Sequence, residues 1–273
     1  MTRTGVVGLL ALALPVLGGL DALWLMGAAA SFLLVNAGAL VVGLAVIAFL
    51  PQLDANMTRR FAILALLVLL ALPLLTGPFV NGIARWLPLG PFTLHAGMLA
   101  IPLLAVLAAR DEDYAAPILL AGILAAAIQP DAASGLALTF AAMGLYNAKR
   151  DWKDGIVAGT GFFATLVMWV RGELPAQPFV ERVLVDVAAS QPLAALALLA
   201  CLVASFLLIL HALPAPMAQR HALAGTLFGF SLAAVLSNYP SALIGYGAAP
   251  IVGFAIALSQ IERAESKAPP VVE

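Results

Sequence analysis

Long runs of apolar residues are the feature of this sequence that most restricts its fold. Residues 5–50 contain one charged side chain, Asp21, and similar runs recur as far as residue 260. Apolar residues make up 63% of the chain and charged residues only 10%, whereas soluble domains average about 45–50% and about 25%. A soluble core cannot absorb this excess, so the sequence predicts an integral membrane protein.

Helices are the expected structure of these runs, because unpaired backbone groups cannot face lipid and no alternating barrel pattern is present. A helix needs about 20 apolar residues to cross a bilayer core. The sequence therefore predicts an all-α, polytopic helix bundle of about ten transmembrane helices that forms a single domain, residues 1–273. The predicted spans cover residues 5–20, 24–50, 60–78, 93–109, 115–129, 132–147, 155–171, 190–212, 221–237 and 242–260.

The two ends of the chain receive separate interpretations. The run at residues 5–50 is too long for one span and suits two, with the break near Asp21. No polar mature region follows the first apolar stretch, so we interpret it as a retained helix and not as a signal peptide. Residues 262–273 are charged, contain two prolines and predict a disordered cytoplasmic tail.

The distribution of basic residues predicts the orientation, because lysine and arginine favour cytoplasmic loops. With the N-terminus inside, the inner segments carry ten of the 13 basic residues, and the outer segments carry only Arg85, Arg171 and Arg182. This bias and the even number of spans predict that both termini are cytoplasmic.

Composition excludes several functions. The net charge of -1 argues against a nucleic-acid partner. Cys201 is the single cysteine, so no disulfide can form within the chain, and it lies in an apolar run as a small apolar side chain. The three histidines have no metal-ligand spacing, and the sequence predicts neither a metal site nor a cofactor.

The most unusual polar residues fall in the predicted outer segments, and Arg85 with Trp86 is the first example. The pair lies in a turn-rich segment between two apolar runs. One interpretation is an interfacial anchor, with Trp86 in the aromatic belt. The other is a cation at the membrane surface that binds a phosphate or pyrophosphate.

Four further side chains have both a structural and a functional interpretation. Asp131 follows a proline at a predicted helix start, where a carboxylate favours the positive end of the helix dipole, but it can also mark a site. His95 opens the fourth span as either a hydrogen-bonded interface residue or a base. Glu181 and Asp186 are either solvated or catalytic, and at about 140° apart on a helix they would not form one pair.

At these positions the sequence resembles the SEDS proteins, the RodA/FtsW-type membrane proteins of shape, elongation, division and sporulation. Residues 81–92, Asn-Gly-Ile-Ala-Arg-Trp-Leu-Pro-Leu-Gly-Pro-Phe, are similar to the family pattern N-G-A-R-R-W-x-x-L-G-P-F. Residues 129–131 match its Q-P-D, residues 174–175 its L-P, and residues 245–247 resemble its S-Y-G-G. The matches agree in order and spacing and cover residues 60–260.

The resemblance implies a ten-helix fold in the bacterial inner membrane that binds an undecaprenyl-linked precursor, lipid II. Active members polymerise lipid II at the outer face with a class B penicillin-binding protein. Such chemistry needs a carboxylate base and cations that stabilise the departing pyrophosphate. The resemblance implies that membrane lipids surround the protein and that the ligand lipid II contacts Arg85, Trp86, Asp131 and His95. Glu181 or Asp186 would then act as a substitute base.

Several family positions differ in this chain. The family's serine–glutamate pair falls on Gly97 and Met98, and its lysine falls on Ile101. Its presumed catalytic aspartate falls on Val180, one residue before Glu181. Only Arg85 and Asp131 remain of the charged family positions.

These differences leave three hypotheses. The first is a SEDS-like protein of cell-wall assembly that binds precursor with weakened or absent catalysis. The second is an active lipid II polymerase. The third is an unrelated membrane transporter with a coincidental Arg-Trp segment. The loss of base, glutamate and lysine together favours the first. If a lipid pyrophosphate binds here, Arg85 and Asp131 should line one outward cavity.

Overall fold

The protein is a bundle of ten helical segments that run between two opposite ends, within the residues 3–90 and 92–262 that the computed structural model describes. Short helices α4 and α9 and a two-stranded hairpin connect some of them. The helices are α1 (Arg3–Leu25), α2 (Ala30–Phe49), α3 (Asn56–Ala71), α4 (Pro73–Thr76), α5 (Ala96–Ala109), α6 (Ala115–Ile128), α7 (Ala132–Lys149), α8 (Trp152–Gly172), α9 (Val183–Ser190), α10 (Pro192–Leu207), α11 (Met217–Leu236) and α12 (Ala248–Ser259). The strands are β1 (Trp86–Leu89) and β2 (Phe92–His95), and a π-helical turn (Leu208–Ala212) continues α10.

The helices confirm the prediction of a polytopic, multi-pass membrane protein. Five segments of the described chain are long and apolar enough to cross a membrane, namely α1, α2, α3 with α4, α8, and α10 with its π-helical turn. Helices α5, α6 and α12 are shorter and apolar. The centre of the bundle is the pair α7 and α11, which approach closely because Gly229 has no side chain: a Cβ there would lie 2.6 Å from the Cα of Ala137.

The two ends of the bundle differ in charge. The terminal end holds the start of α1, the end of α12 and the connections at residues 50–55, 110–114, 150–151 and 213–216. The hairpin end holds residues 26–29, 77–95, 129–131, 173–191 and 237–247. Arg85, Arg171 and Arg182 lie at the hairpin end, and the other described arginines and lysines beyond α1 lie at the terminal end. This arrangement fits a cytoplasmic terminal end.

A polar network fastens the end of α12 to its neighbours. Arg110 donates to Leu53 O at 3.1 Å, to Gln260 O at 3.0 Å and to Glu262 Oε1 at 3.0 Å. Gln219 donates to the other carboxylate oxygen of Glu262 at 2.8 Å. Glu262, the first residue of the predicted disordered tail, is therefore held in place. Residues 263–273 of that predicted tail lie outside the described residues.

The first helix boundary differs from its prediction. The break expected near Asp21 occurs at residues 26–29, so Asp21 lies inside α1. Its side chain is exposed and lies close to the hairpin end of the helix. A carboxylate there reaches the membrane surface without interrupting the helix, and the chain turns at Gly27, where φ is +77°.

Two other helices begin later than predicted because their first residues form connections. Residues 93–95 belong to β2, which pairs antiparallel with β1 through Trp86 opposite His95. Residues 242–247 form a turn before α12 that the buried Asn36 of α2 holds. Asn36 donates to Gly245 O at 2.9 Å and accepts from Gly247 N at 3.0 Å. Both connections belong to the hairpin end.

The orientation can be tested with single cysteines in a Cys201→Ala background. Ala176 at the hairpin end and Glu112 at the terminal end are both exposed. A membrane-impermeant maleimide should label the Ala176→Cys variant on intact spheroplasts and the Glu112→Cys variant only after lysis, because the basic end faces the cytoplasm. The reverse labelling pattern would contradict the predicted orientation.

Candidate functional site at the hairpin end

Arg85 is buried at the centre of the hairpin end, where it contacts several separate segments. We call this arrangement the clasp. Its side chain is 2% exposed, and its Nη2 donates to Pro130 O at 2.7 Å and also to Gly172 O. The guanidinium carbon lies 5.0 Å from the centre of the Tyr239 ring. The interpretation of Arg85 as an interfacial anchor is therefore wrong, since the residue lies inside the protein and joins four connections.

The negative partial charge of backbone carbonyl oxygens explains the hydrogen bonds that Arg85 donates. Gly172 is the last residue of α8, where carbonyls lack partners within the helix and carry partial negative charge, and Pro130 lies in the connection between α6 and α7. One guanidinium satisfies both carbonyls. Gly172 must lack a side chain, because a Cβ there would lie 1.8 Å from Pro130 O and 2.7 Å from Arg85 Nη2.

Asp131 and His95 cap two neighbouring helices. Asp131 is the N-cap of α7, with Oδ1 accepting from Ser134 N at 3.3 Å and Oδ2 accepting from the Ser134 hydroxyl. This geometry confirms the helix-start interpretation. His95 is the N-cap of α5, and its Nδ1 accepts from Met98 N at 3.3 Å.

The two caps face each other. Because Nδ1 of His95 accepts a hydrogen bond, its Nε2 carries the proton, and Nε2 lies 3.6 Å from Asp131 Oδ2. Burial lowers the pKa of His95, an effect that Asp131 opposes and Arg85 reinforces. The imidazole is therefore neutral at pH 7, held between a carboxylate and a backbone amide.

Gly97 and Ser134 fit each other at this point. A Cβ at Gly97 would lie 1.9 Å from Ser134 Oγ and 3.3 Å from Asp131 Oδ2. The space beside position 97, where the resembled pattern has a serine, is filled by the hydroxyl of α7. The glycine of α5 and the serine of α7 therefore depend on each other.

A cavity of about 720 Å³ opens at the hairpin end in front of these caps. Trp86, His95 and Glu181 line it, whereas Arg85, Asp131 and Asp186 do not. The prediction that Arg85 and Asp131 line one outward cavity is therefore wrong, because both form a buried layer behind its wall. The wall comes from α2, the hairpin, residues 174–181 and residues 240–250. Within residues 3–90 and 92–262, no arginine or lysine lines the cavity.

Glu181 is the acidic group of the cavity. It is 5% exposed, and its Oε2 accepts from Gln177 N at 2.8 Å. Burial raises the pKa of Glu181 to about 7, although the Gln177 amide and the Arg85 charge both lower it. The carboxyl is thus divided between its protonated and ionised forms near neutral pH and can donate or accept a proton.

Asp186 lies elsewhere. It is exposed on the first turns of α9, outside the cavity lining, so the structure does not bring it together with His95 and Glu181. The reason is the backbone between the two acids. Glu181 forms an isolated bridge with Pro240, and α9 begins only at Val183 and directs Asp186 outward.

Sequence reasoning gave no role to the aromatic part of the cavity. Phe32 of α2 and Tyr246 stack with ring centres 3.9 Å apart and planes 12° apart, and both line the cavity. Tyr246 belongs to the Gly-Tyr-Gly match, and this match was the sequence signal that could have indicated its place in the site. Phe32 lies within an apolar helix and carries no signal of its own.

Comparisons with solved structures identify the architecture. The crystal structure of the Thermus thermophilus rod shape determining protein RodA matches 91% of this chain and 92% of its own, with a TM-score of 0.65 and 19% identity. This chain has the RodA fold. A point mutant of the same RodA matches with a TM-score of 0.67, 20% identity and coverage of 91% and 93%.

A further solved chain with the RodA fold comes from a peptidoglycan synthase complex that coordinates polymerization and crosslinking. It matches 92% of this chain and 95% of its own, with a TM-score of 0.57 and 23% identity. No family profile and no curated protein matches the sequence. The prediction of a SEDS-type RodA/FtsW fold is thus confirmed by structure and not by sequence similarity.

The fit between Gly97 and Ser134 can be tested by a double-mutant cycle. Gly97→Ala should lower the melting temperature of the purified protein, because the new Cβ overlaps Ser134 Oγ. Adding Ser134→Ala should restore part of the loss, with a coupling energy of about 1 kcal/mol or more. Additive effects of the two changes would contradict the fit.

The raised pKa of Glu181 predicts a pH dependence of stability. Because the folded-state pKa is about 7 and the unfolded value is 4.5, the folded state holds the proton more tightly between these values. The contribution of Glu181 to the free energy of unfolding should be greatest below pH 4.5 and fall as pH rises to 7. Thermal unfolding in detergent should show this slope in the wild type and a smaller slope in Glu181→Gln. Equal slopes would contradict it.

Proposed function

We propose that this protein acts in peptidoglycan assembly at the bacterial inner membrane, where it binds a lipid-linked cell-wall precursor such as lipid II with weakened or absent polymerisation. The shared RodA fold over 91% of the chain supports the setting. The same fold favours this setting over the transporter hypothesis, which assumed that the Arg-Trp segment was a coincidence.

The observation that carries the proposal is the chemistry of the cavity. Glu181 can hydrogen-bond a ligand and exchange a proton, but among the described residues that line the cavity none is an arginine or a lysine. Departure of a lipid pyrophosphate develops negative charge, and a fixed cation is the usual means of stabilising it. Arg85 is close, but its guanidinium is already bonded to the carbonyls of Pro130 and Gly172.

The same cavity is suited to hold a saccharide. Trp86 and the stacked pair Phe32 and Tyr246 offer apolar ring surfaces. Glu181, Asn81 and Gln177 offer polar groups for hydroxyls. A few polar groups set among apolar walls are typical of small-ligand sites. Recognition of the sugar portion of a precursor therefore needs no cation.

The partner follows from the same comparison. One chain with this fold belongs to a peptidoglycan synthase complex that coordinates polymerization and crosslinking. In the proposed role, this protein binds a class B penicillin-binding protein and presents or retains precursor for it. Membrane lipids surround the remaining exposed apolar faces.

An active glycosyltransferase is the second candidate function, and Glu181 is the observation that favours it. A buried carboxyl with a pKa of about 7 is suited to accept the proton of an attacking hydroxyl. Asp186 is the weaker choice for this base because it lies outside the cavity. The candidate would need a cation from a partner or from the ligand.

The proposal predicts binding without polymerisation. Purified protein, alone and with a candidate class B penicillin-binding protein, should bind lipid II but yield no glycan polymer on product sizing. Trp86→Ala should weaken binding about fivefold, because loss of an aromatic contact costs about 1 kcal/mol. The matched control is Trp24→Ala, whose side chain is exposed on α1 outside the cavity.

Two results would contradict this prediction. Polymer that forms with the wild type and disappears with Glu181→Gln would establish the active enzyme. Equal affinity for lipid II in the Trp86→Ala and wild-type proteins would remove the cavity as the binding site.

A further inference from the structure

A second groove lies at the terminal end, on the opposite side of the membrane from the cavity. It is formed by α3 and α6 and has a volume of about 330 Å³. Its apolar walls are Ile63 and Leu67 on α3 and Pro117, Ile118 and Ala121 on α6. Arg60, Asp111 and Tyr114 form its polar mouth.

The mouth holds a fixed pair of opposite charges. Arg60 Nε donates to Asp111 Oδ2 at 3.2 Å, and the guanidinium carbon lies 4.8 Å from the centre of the Tyr114 ring. Asp111 Oδ1 accepts from the backbone amides of Asp113 at 3.2 Å and Tyr114 at 3.0 Å. The turn before α6 therefore fixes the position of the Asp111 carboxylate, and the Tyr114 ring packs against the Arg60 guanidinium.

The two charges differ in exposure, since the Asp111 side chain is only 11% exposed and accepts three hydrogen bonds, whereas Arg60 is open to a ligand. The Arg60 side chain is 51% exposed, and its terminal nitrogens make no hydrogen bond within residues 3–90 and 92–262. The neighbouring Arg59 is different, since it donates to Asp54 O at 2.6 Å and to Asn56 in its own segment.

The charge balance of the mouth selects among headgroups. Glu112 and Asp113 follow Asp111 in the chain and are exposed, so the acidic residues of this turn outnumber the one guanidinium that lines the groove. A purely anionic headgroup would gain Arg60 but meet net repulsion. A headgroup with both a phosphate and an ammonium satisfies both signs: the phosphate accepts from Arg60, and the ammonium donates to the carboxylates.

The apolar walls continue inward from this mouth. Ile63 and Leu67 are one helical turn apart on α3, and Pro117 and Ala121 are one turn apart on α6. Helix α3 is largely unburied by protein, with Phe61, Leu64 and Val68 exposed on its other faces. The groove thus opens from headgroup depth toward the acyl region of the bilayer.

We propose that the groove between α3 and α6 is a binding site for a phospholipid with a primary-amine headgroup of the phosphoethanolamine type. Arg60 binds its phosphate, Asp111 and the adjacent carboxylates bind its ammonium, and the apolar walls hold the first part of one acyl chain. The site is independent of the cavity and of the proposed role in peptidoglycan assembly.

Native mass spectrometry of the full chain in detergent tests the site. With equimolar dioleoyl phosphatidylethanolamine, phosphatidylglycerol and phosphatidylcholine, the ethanolamine lipid should give the dominant bound species. Arg60→Gln and Asp111→Asn should each reduce it about tenfold, as expected for loss of one charge-assisted hydrogen bond. The matched control Arg59→Gln should leave it unchanged.

A third variant tests the contribution of the apolar walls separately from that of the charged mouth. Ala121→Leu fills the apolar wall without altering the mouth, and it should reduce binding of the ethanolamine lipid although both charges remain. It also keeps the test valid if Asp111→Asn weakens the turn before α6. Equal or stronger binding of phosphatidylglycerol or phosphatidylcholine, or the same loss in Arg59→Gln as in Arg60→Gln, would overturn the proposal.

Discussion

The hairpin end depends on one buried guanidinium. Arg85 joins the carbonyl of Pro130, between α6 and α7, to the last carbonyl of α8 and lies against Tyr239, which follows α11. Helix ends in a membrane protein need partners for their last carbonyls, because water reaches them poorly. By supplying that partner, Arg85 fixes where β1 begins, and β1 in turn positions Trp86 at the cavity and pairs with the strand that ends at His95.

The contacts of Arg85 change the interpretation of the Arg-Trp segment. An arginine near a membrane surface suggests a phosphate ligand, but here Nη2 of Arg85 bonds two backbone carbonyls, and its buried Nε has no partner among the described residues. Two positions that are charged in the resembled pattern are apolar in this chain. Met98 and Ile101 are fully buried apolar residues where the resembled pattern has glutamate and lysine. Compared with the resembled pattern, this chain has Arg85 and Asp131 but not the glutamate and the lysine.

The sequence predicted the helices well because their cause is local. Apolar runs of membrane length must be helical, and ten segments were found near their predicted places. It also predicted the position of Asp131 at a helix start, since capping depends on a few neighbouring residues. The boundaries that failed, at residues 26–29, 93–95 and 242–247, depend on distant partners. Asn36, for example, holds the turn before α12 from more than 200 residues away.

The site was harder to predict for the same reason. Arg85 and Asp131 were expected to line one cavity, but residues from several distant segments form the cavity wall and leave both of them behind it. That wall contains residues from α2, the hairpin and two later connections. Glu181 and Asp186 look equivalent in the sequence, and only the backbone bridge at Pro240 directs one inward and leaves the other exposed. Phe32 could not be distinguished from any other apolar residue of its helix.

The apolar residues of α5 at two positions of the resembled pattern are part of the packing between helices. Ile101 is fully buried in the main hydrophobic core, and Gly97 is closed off by the Ser134 hydroxyl. A lysine at position 101 would place a charge among apolar side chains without a partner, at a cost of several kcal/mol. A serine at position 97 would overlap α7. Introducing the residues of the resembled pattern at these two positions would therefore require α5 and α7 to repack together.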